Sequence, residues 1–108
     1  MRWLYHVLGV DVAIDDPYAP ASFAQEGFVH CSFRDDVVTS ARLYFPAGAA
    51  LRVLQIDPQR LRCEVHVVAT PRGPMPHVHG AIPRAAIVRE REIDQMRDAP
   101  DGIDDASG

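Results

Sequence analysis

The sequence predicts a small α+β domain, because five short segments read as strands while one segment alone carries a sustained helical period, and the two kinds do not alternate as parallel βαβ units require. A chain of 108 residues that is 47% hydrophobic and 24% charged has room for one modest core and no second domain.

The first strand is Trp3 to Leu8, an aromatic and branched run bounded by Gly9. Asp15, Asp16, Pro17 and Pro20 make residues 9–21 mostly loop. Ser22 and Gln25 stand at capping-box spacing, with Gly27 placed to end a single helical turn. Phe28 to Cys31 is a short strand. Ser32 is then the expected N-cap of the main helix, whose apolar face is Val37, Val38, Ala41, Tyr44 and Phe45, and Pro46 and Gly48 stop it. Strands follow at Leu51 to Ile56 and Cys63 to Val68. Four breakers (Pro71, Gly73, Pro74 and Pro76) predict a loop over Thr70 to Pro76. His77 to Ile82 is extended, Pro83 opens a helical turn, and the last strand runs from Ile87 to Ile93. The domain is expected over residues 1–93, and residues 94–108 read as an acidic, disordered tail.

The formal charge of −4 belongs to that tail, which holds five acids and one arginine. The body balances ten acids against ten arginines, which argues against a polynucleotide partner because phosphate contacts need a cationic excess. There is no Lys, so Schiff-base chemistry has no nucleophile. No run of about 18 apolar residues predicts a membrane span. The first residues lack a signal-peptide core, so a cytoplasmic protein with Cys31 and Cys63 reduced is expected.

Five histidines carry the chemistry: His6, His30, His66, His77 and His79. His77-x-His79 has the spacing of half a metal site, with His30, His66 or Glu64 as a third ligand. No second pair completes the pattern, so no metal is expected. His30 cannot activate Cys31, since neighbours on a strand face opposite ways. Were the segments around His6, His30-x-Ser32 and His77-x-His79 to converge, they would line one cleft with donors suited to ribose or phosphate oxygens.

Leu4-Tyr5-His6-Val7, Glu26-Gly27-Phe28-Val29-His30-Cys31-Ser32 and Pro76-His77-Val78-His79-Gly80-Ala81-Ile82-Pro83 together resemble the small bacterial family known as domain of unknown function 952. That family's fold is similar to ADP-ribosyltransferases and RNA 2′-phosphotransferases, and the likeness implies a split, twisted sheet with one main helix. It implies NAD or a related small nucleotide as ligand. His6, with Tyr5 beside it, would contact the ribose, and His30 and Ser32 would form the second wall. His77, His79 and Gly80 would complete the ligand site, with His6 and His30 as the catalytic pair. The sequence departs from the pattern in having only residues 7–17 between His6 and Tyr18, where a helix is usual, and in having Arg2 as the arginine nearest His6. The readings from other classes are an interaction or ligand-binding module without catalysis, and a histidine-based metal-binding protein.

Overall fold

The structure is a computed structural model that describes residues 2–95. Two antiparallel three-stranded sheets and one main helix make up the α+β fold. The first sheet has the order β1-β3-β6, formed by β1 (Leu4–Gly9), β3 (Leu51–Ile56) and β6 (Ile87–Ile93). The second has the order β2-β5-β4, formed by β2 (Val29–His30), β5 (Gly73–Val78) and β4 (Val65–Thr70).

Within the first sheet β1 and β3 are buried on both faces, which is why they read as nearly continuous apolar runs. Tyr5 of β1 and Leu51 and Val53 of β3 pack with Val37, Val38 and Ala41 of the helix α2 (Val37–Tyr44). Leu4, Leu8, Leu54 and Ile56 turn the other way, onto Val29, Cys31 and Val78 of the second sheet and onto Tyr18 and Ile82 of the connecting segments. The sheets join at one backbone bridge. Tyr5 N–H donates to Ser32 C=O at 2.9 Å, and Ser32 N–H donates to Tyr5 C=O at 2.7 Å.

That bridge explains why Ser32 is not the expected N-cap. Its backbone is held extended by Tyr5, so the chain enters a 3₁₀ turn (Arg34–Asp36) and reaches α2 with Asp36 at the cap position and no side-chain cap. Ser22 is not a cap either. The short helix α1 (Ala21–Glu26) starts from Pro20, which leaves Ser22 inside it, while Gly27 ends it at φ 80° as its sequence position predicts. No helix precedes Ala21 among the described residues. Tyr44 lies at the helix end but is 67% exposed, so the buried face stops at Ala41.

The expected loop over Thr70 to Pro76 is instead a two-residue turn followed by β5, the central strand of the second sheet. The prolines are tolerated by their phase. Pro76 C=O accepts from Cys31 N–H at 3.1 Å, so Pro76 turns its backbone polar groups toward the β2 side. Alternation along an antiparallel strand then gives the donors facing β4 to Met75 and His77 and asks none of Pro74 or Pro76. Gly73 closes the turn at φ 99°, a conformation for which Gly is suited.

Packing continues past Ile93. Gln95 is buried, its amide donates to Ala41 C=O at 2.7 Å, and its backbone carbonyl accepts from Arg42 at 2.6 Å. The rest of the expected tail, from residue 96 onward, lies outside the described residues.

Beyond β5 the chain crosses close to the segment before β4. His79 N–H donates to Glu64 C=O at 2.9 Å, and a Cβ on Gly80 would fall 2.7 Å from Cys63 Cβ. Gly80→Ala is therefore expected to lower stability by about 1–3 kcal/mol through overpacking, measured as the urea midpoint. An unchanged midpoint would contradict this close approach.

Candidate functional site

On one side of the Tyr5–Ser32 bridge the sheets diverge and leave a cleft of about 1000 Å³. The edge of β1 supplies one wall with Tyr5, His6, Val7 and Leu8, and His30, Cys31 and Ser32 supply the opposite one. Leu43, Tyr44 and Phe45 at the end of α2, and Arg72 and Met75 from the β4–β5 hairpin, enclose the remainder.

His6 sits where the walls meet and is only 7% exposed. Its Nδ1 lies 2.7 Å from His30 C=O, an atom that can only accept, so Nδ1 carries the proton and donates. In the neutral ring Nε2 then accepts from Tyr18 O–H at 3.0 Å. Burial lowers the His6 pKa from its ordinary value, outweighing the backbone bond from His30 that favours the charged form. Burial, reinforced by Cys31 nearby, pushes the Tyr18 phenol up to about 12, so it keeps the proton that it donates. Tyr18 is itself held by a reciprocal backbone pair with Ile82, each bond 2.8 Å. With both nitrogens engaged, His6 is a positioning residue that ties β1 to β2 and to the segment before α1.

His30 faces outward and Cys31 inward, as strand alternation requires. The His30 ring is half exposed, and its Nε2 pairs with the Glu26 carboxylate across Gly27. Glu26 is the one acid among the described lining residues. Cys31 is fully enclosed, and burial pushes its thiol well up, away from nucleophilic character. Ser32 points into the cleft, its Oγ 2.7 Å from Ser40 Oγ.

The third expected segment divides between cleft and outer sheet face. His77 reaches the cleft rim, where its ring stacks on Phe28 at 4.0 Å between centroids and meets His30 edge-on at 5.4 Å. His79 and Gly80 are not lining residues. His79 packs on His66 at 4.1 Å, and His66 in turn bonds Glu64 at 2.8 Å. His30, His77 and His66 occupy one register row across the second sheet. Among the described residues no group of three or more His, Cys, Asp or Glu side chains is arranged to hold a metal ion, nor is any helix long and apolar enough to cross a membrane.

Sequence reasoning did not find Arg72, Ser40 or Tyr18. Arg72 Nη2 donates to Ser40 Oγ at 3.3 Å, and the guanidinium lies 5.4 Å from the Tyr44 ring centre. Its Nη1 is buried with no hydrogen-bond partner, and so is Tyr5 Oη. Arg72 sits in the turn read as loop, and the pairing that carries it across to α2 leaves no local periodic signal. Tyr18 is equally silent, because its bond to His6 spans an irregular segment.

A family model described as protein of unknown function (DUF952) matches residues 11–90. Among solved structures, the X-ray structure of CC0527 from Caulobacter crescentus is similar at a TM-score of 0.73 and 22% identity, covering 94% of this chain and 91% of that one. A double-methionine mutant of the same protein gives a TM-score of 0.73 at 21% identity over the same shares. Among curated proteins none matches.

The lowered pKa of His6 fixes the sign of the acid response. Below its ordinary 6.5 the unfolded chain takes up a proton that the folded protein resists, so stability is level above that pH and falls beneath it. His77, lowered by burial and by the nearby His30 and His79, acts in the same direction. His6→Gln is expected to lose about 1–3 kcal/mol at neutral pH through its imperfectly replaced hydrogen bonds, yet to show a shallower decline in acid. Thermal melts of both proteins from pH 8 to pH 5 test this, and equal slopes would contradict it.

Proposed function

The chain belongs to the DUF952 family, and we propose that it is a small-molecule-binding domain whose cleft takes NAD or a related nucleotide. The observation that carries this reading is the convergence of Tyr5, His6, His30, Ser32 and His77, from separate segments, on one cleft of about 1000 Å³. That volume accommodates a ligand of nucleotide size. Apolar walls from Val7, Leu8, Leu43 and Phe45 suit a base or nicotinamide ring, and the hydroxyls of Ser32 and Ser40 suit ribose or phosphate oxygens. The resemblance of Leu4-Tyr5-His6 and Val29-His30-Cys31-Ser32 to the segments that line the cleft of ADP-ribosyltransferases supports the same ligand class.

Binding is favoured over transfer by the state of His6, whose nitrogens are both spent inside the protein. A second, catalytic reading rests on the Glu26–His30 pair, an exposed carboxylate and imidazole at the cleft wall that together can move a proton at a reacting sugar. Release of nicotinamide from NAD, abolished by Glu26→Gln, would establish it.

Isothermal titration with NAD, ADP-ribose and AMP is expected to show saturable binding of at least one of them. His30→Ala removes a half-exposed ring without opening the core and is expected to weaken that binding about fivefold, near 1 kcal/mol. No heat of binding from any of the three would overturn the reading.

A further inference from the structure

We infer that the cleft contains a built oxyanion subsite, formed by Arg72, Tyr5, Ser40 and Ser32, which selects ligands carrying a phosphate or carboxylate group. The inference rests on the cleft being a binding site, as proposed above, and adds the charge and position of what it binds.

Three observations converge. The first is an uncompensated charge. Arg72 makes its contacts with Ser40 Oγ at 3.3 Å, Met75 Sδ at 3.9 Å and the face of Tyr44 at 5.4 Å, and none of these is an anion. The pairs joining arginine to carboxylate, such as Arg52–Glu90 and Arg60–Asp57, lie elsewhere. Glu26 reaches the same cleft but is paired with His30. A guanidinium held beside a cleft without a counter-ion among the described residues forgoes its strongest interaction, which is a two-pronged bond to an oxyanion.

The second is unused hydrogen-bonding capacity. Arg72 Nη1 and Tyr5 Oη are both buried without a partner, and both belong to residues that line the cleft. Tyr5 is 1% exposed, so its hydroxyl gains nothing from bulk water. Such groups destabilise the fold when left unmet, and a ligand oxygen can meet them. The third is the Ser32–Ser40 pair. Where Ser40 accepts from Arg72 and donates to Ser32, the Ser32 proton is left to donate into the cleft. The donors left for a ligand thus come from three places, Tyr5 of β1, Ser32 just after β2 and Arg72 of the β4–β5 turn, while Ser40 of α2 orients Ser32 and Arg72.

The side-chain contacts of Arg72 do not clamp its guanidinium tightly. Its contacts are long, and the turn that carries it is the two residues Pro71 and Arg72. Release of the Nη2 contact with Met75 would allow the buried Nη1 to turn toward an arriving oxyanion. The apolar walls at Val7, Leu8 and Leu43 then receive the uncharged part of the same molecule, so the subsite fits an organic acid or phosphate ester better than a bare inorganic ion.

The test compares wild type, Arg72→Gln and Tyr5→Phe. Titration with AMP and with adenosine, which differs from AMP by the phosphate alone, is expected to favour AMP by about tenfold in wild type, and Arg72→Gln is expected to abolish the preference without loss of folding. Tyr5→Phe removes an orphaned hydroxyl, so it is expected to melt no lower than wild type while binding AMP more weakly, a combination that a purely structural role for Tyr5 does not give. Retention of the full preference by Arg72→Gln overturns the inference while leaving the cleft reading intact. If neither nucleotide binds, the cleft reading fails and the subsite is decided by inorganic phosphate and benzoate at matched ionic strength. Stabilisation of wild type but not of Arg72→Gln by either anion supports it, and equal response of the two proteins overturns it.

Discussion

The architecture depends on a single junction, the backbone pair between Tyr5 and Ser32. Neither three-stranded sheet has a partner strand at that edge except through it. His6, the next residue along β1, reinforces the junction by donating to His30 C=O and accepting from Tyr18, so one side chain fixes three segments. Both interactions lie in an apolar setting beside Leu4, Leu8 and Cys31, where an unmade hydrogen bond is expensive and a made one correspondingly specific. The neutral form of His6 is thus part of the structural design.

The cleft follows from the same junction. The sheets pair at Tyr5 and Ser32 and not beyond, and Val7 and Leu8 of β1 line the cleft. The helix end at Leu43 and Tyr44 and the hairpin at Arg72 line the same cleft and meet there, the guanidinium 5.4 Å from the Tyr44 ring centre. A body that balances its arginines against its acids can therefore still present, in Arg72, a cation at the cleft with no carboxylate partner among the described residues. Overall charge bears on a polynucleotide partner but not on a small ligand, for which the position of an arginine without a carboxylate is what matters.

Much of the fold was legible because burial leaves a periodic trace. Trp3 to Leu8, Leu51 to Ile56 and the Val37-Val38-Ala41 stripe are continuous or helical patterns that local rules capture. β5 was hidden because its prolines break the propensity rule while obeying the pairing rule, and pairing is visible only once β2 and β4 are in place. Ser32 misled for a related reason. A serine before an acidic turn reads as a cap, but a tertiary bridge had already claimed its backbone. Of the site, the histidine and serine motifs could be read in advance, whereas Arg72, Ser40 and Tyr18 act across long sequence distances that no local pattern records.

The most direct measurement is a crystal structure of the protein grown with ADP-ribose. The expected result is ligand density in the cleft between β1 and Ser32, with a phosphate oxygen within hydrogen-bond distance of Arg72 and of Tyr5 Oη, and with the His6 bonds to His30 and Tyr18 unchanged. Ligand density on another surface, or a cleft that stays empty at saturating ligand, would contradict the account.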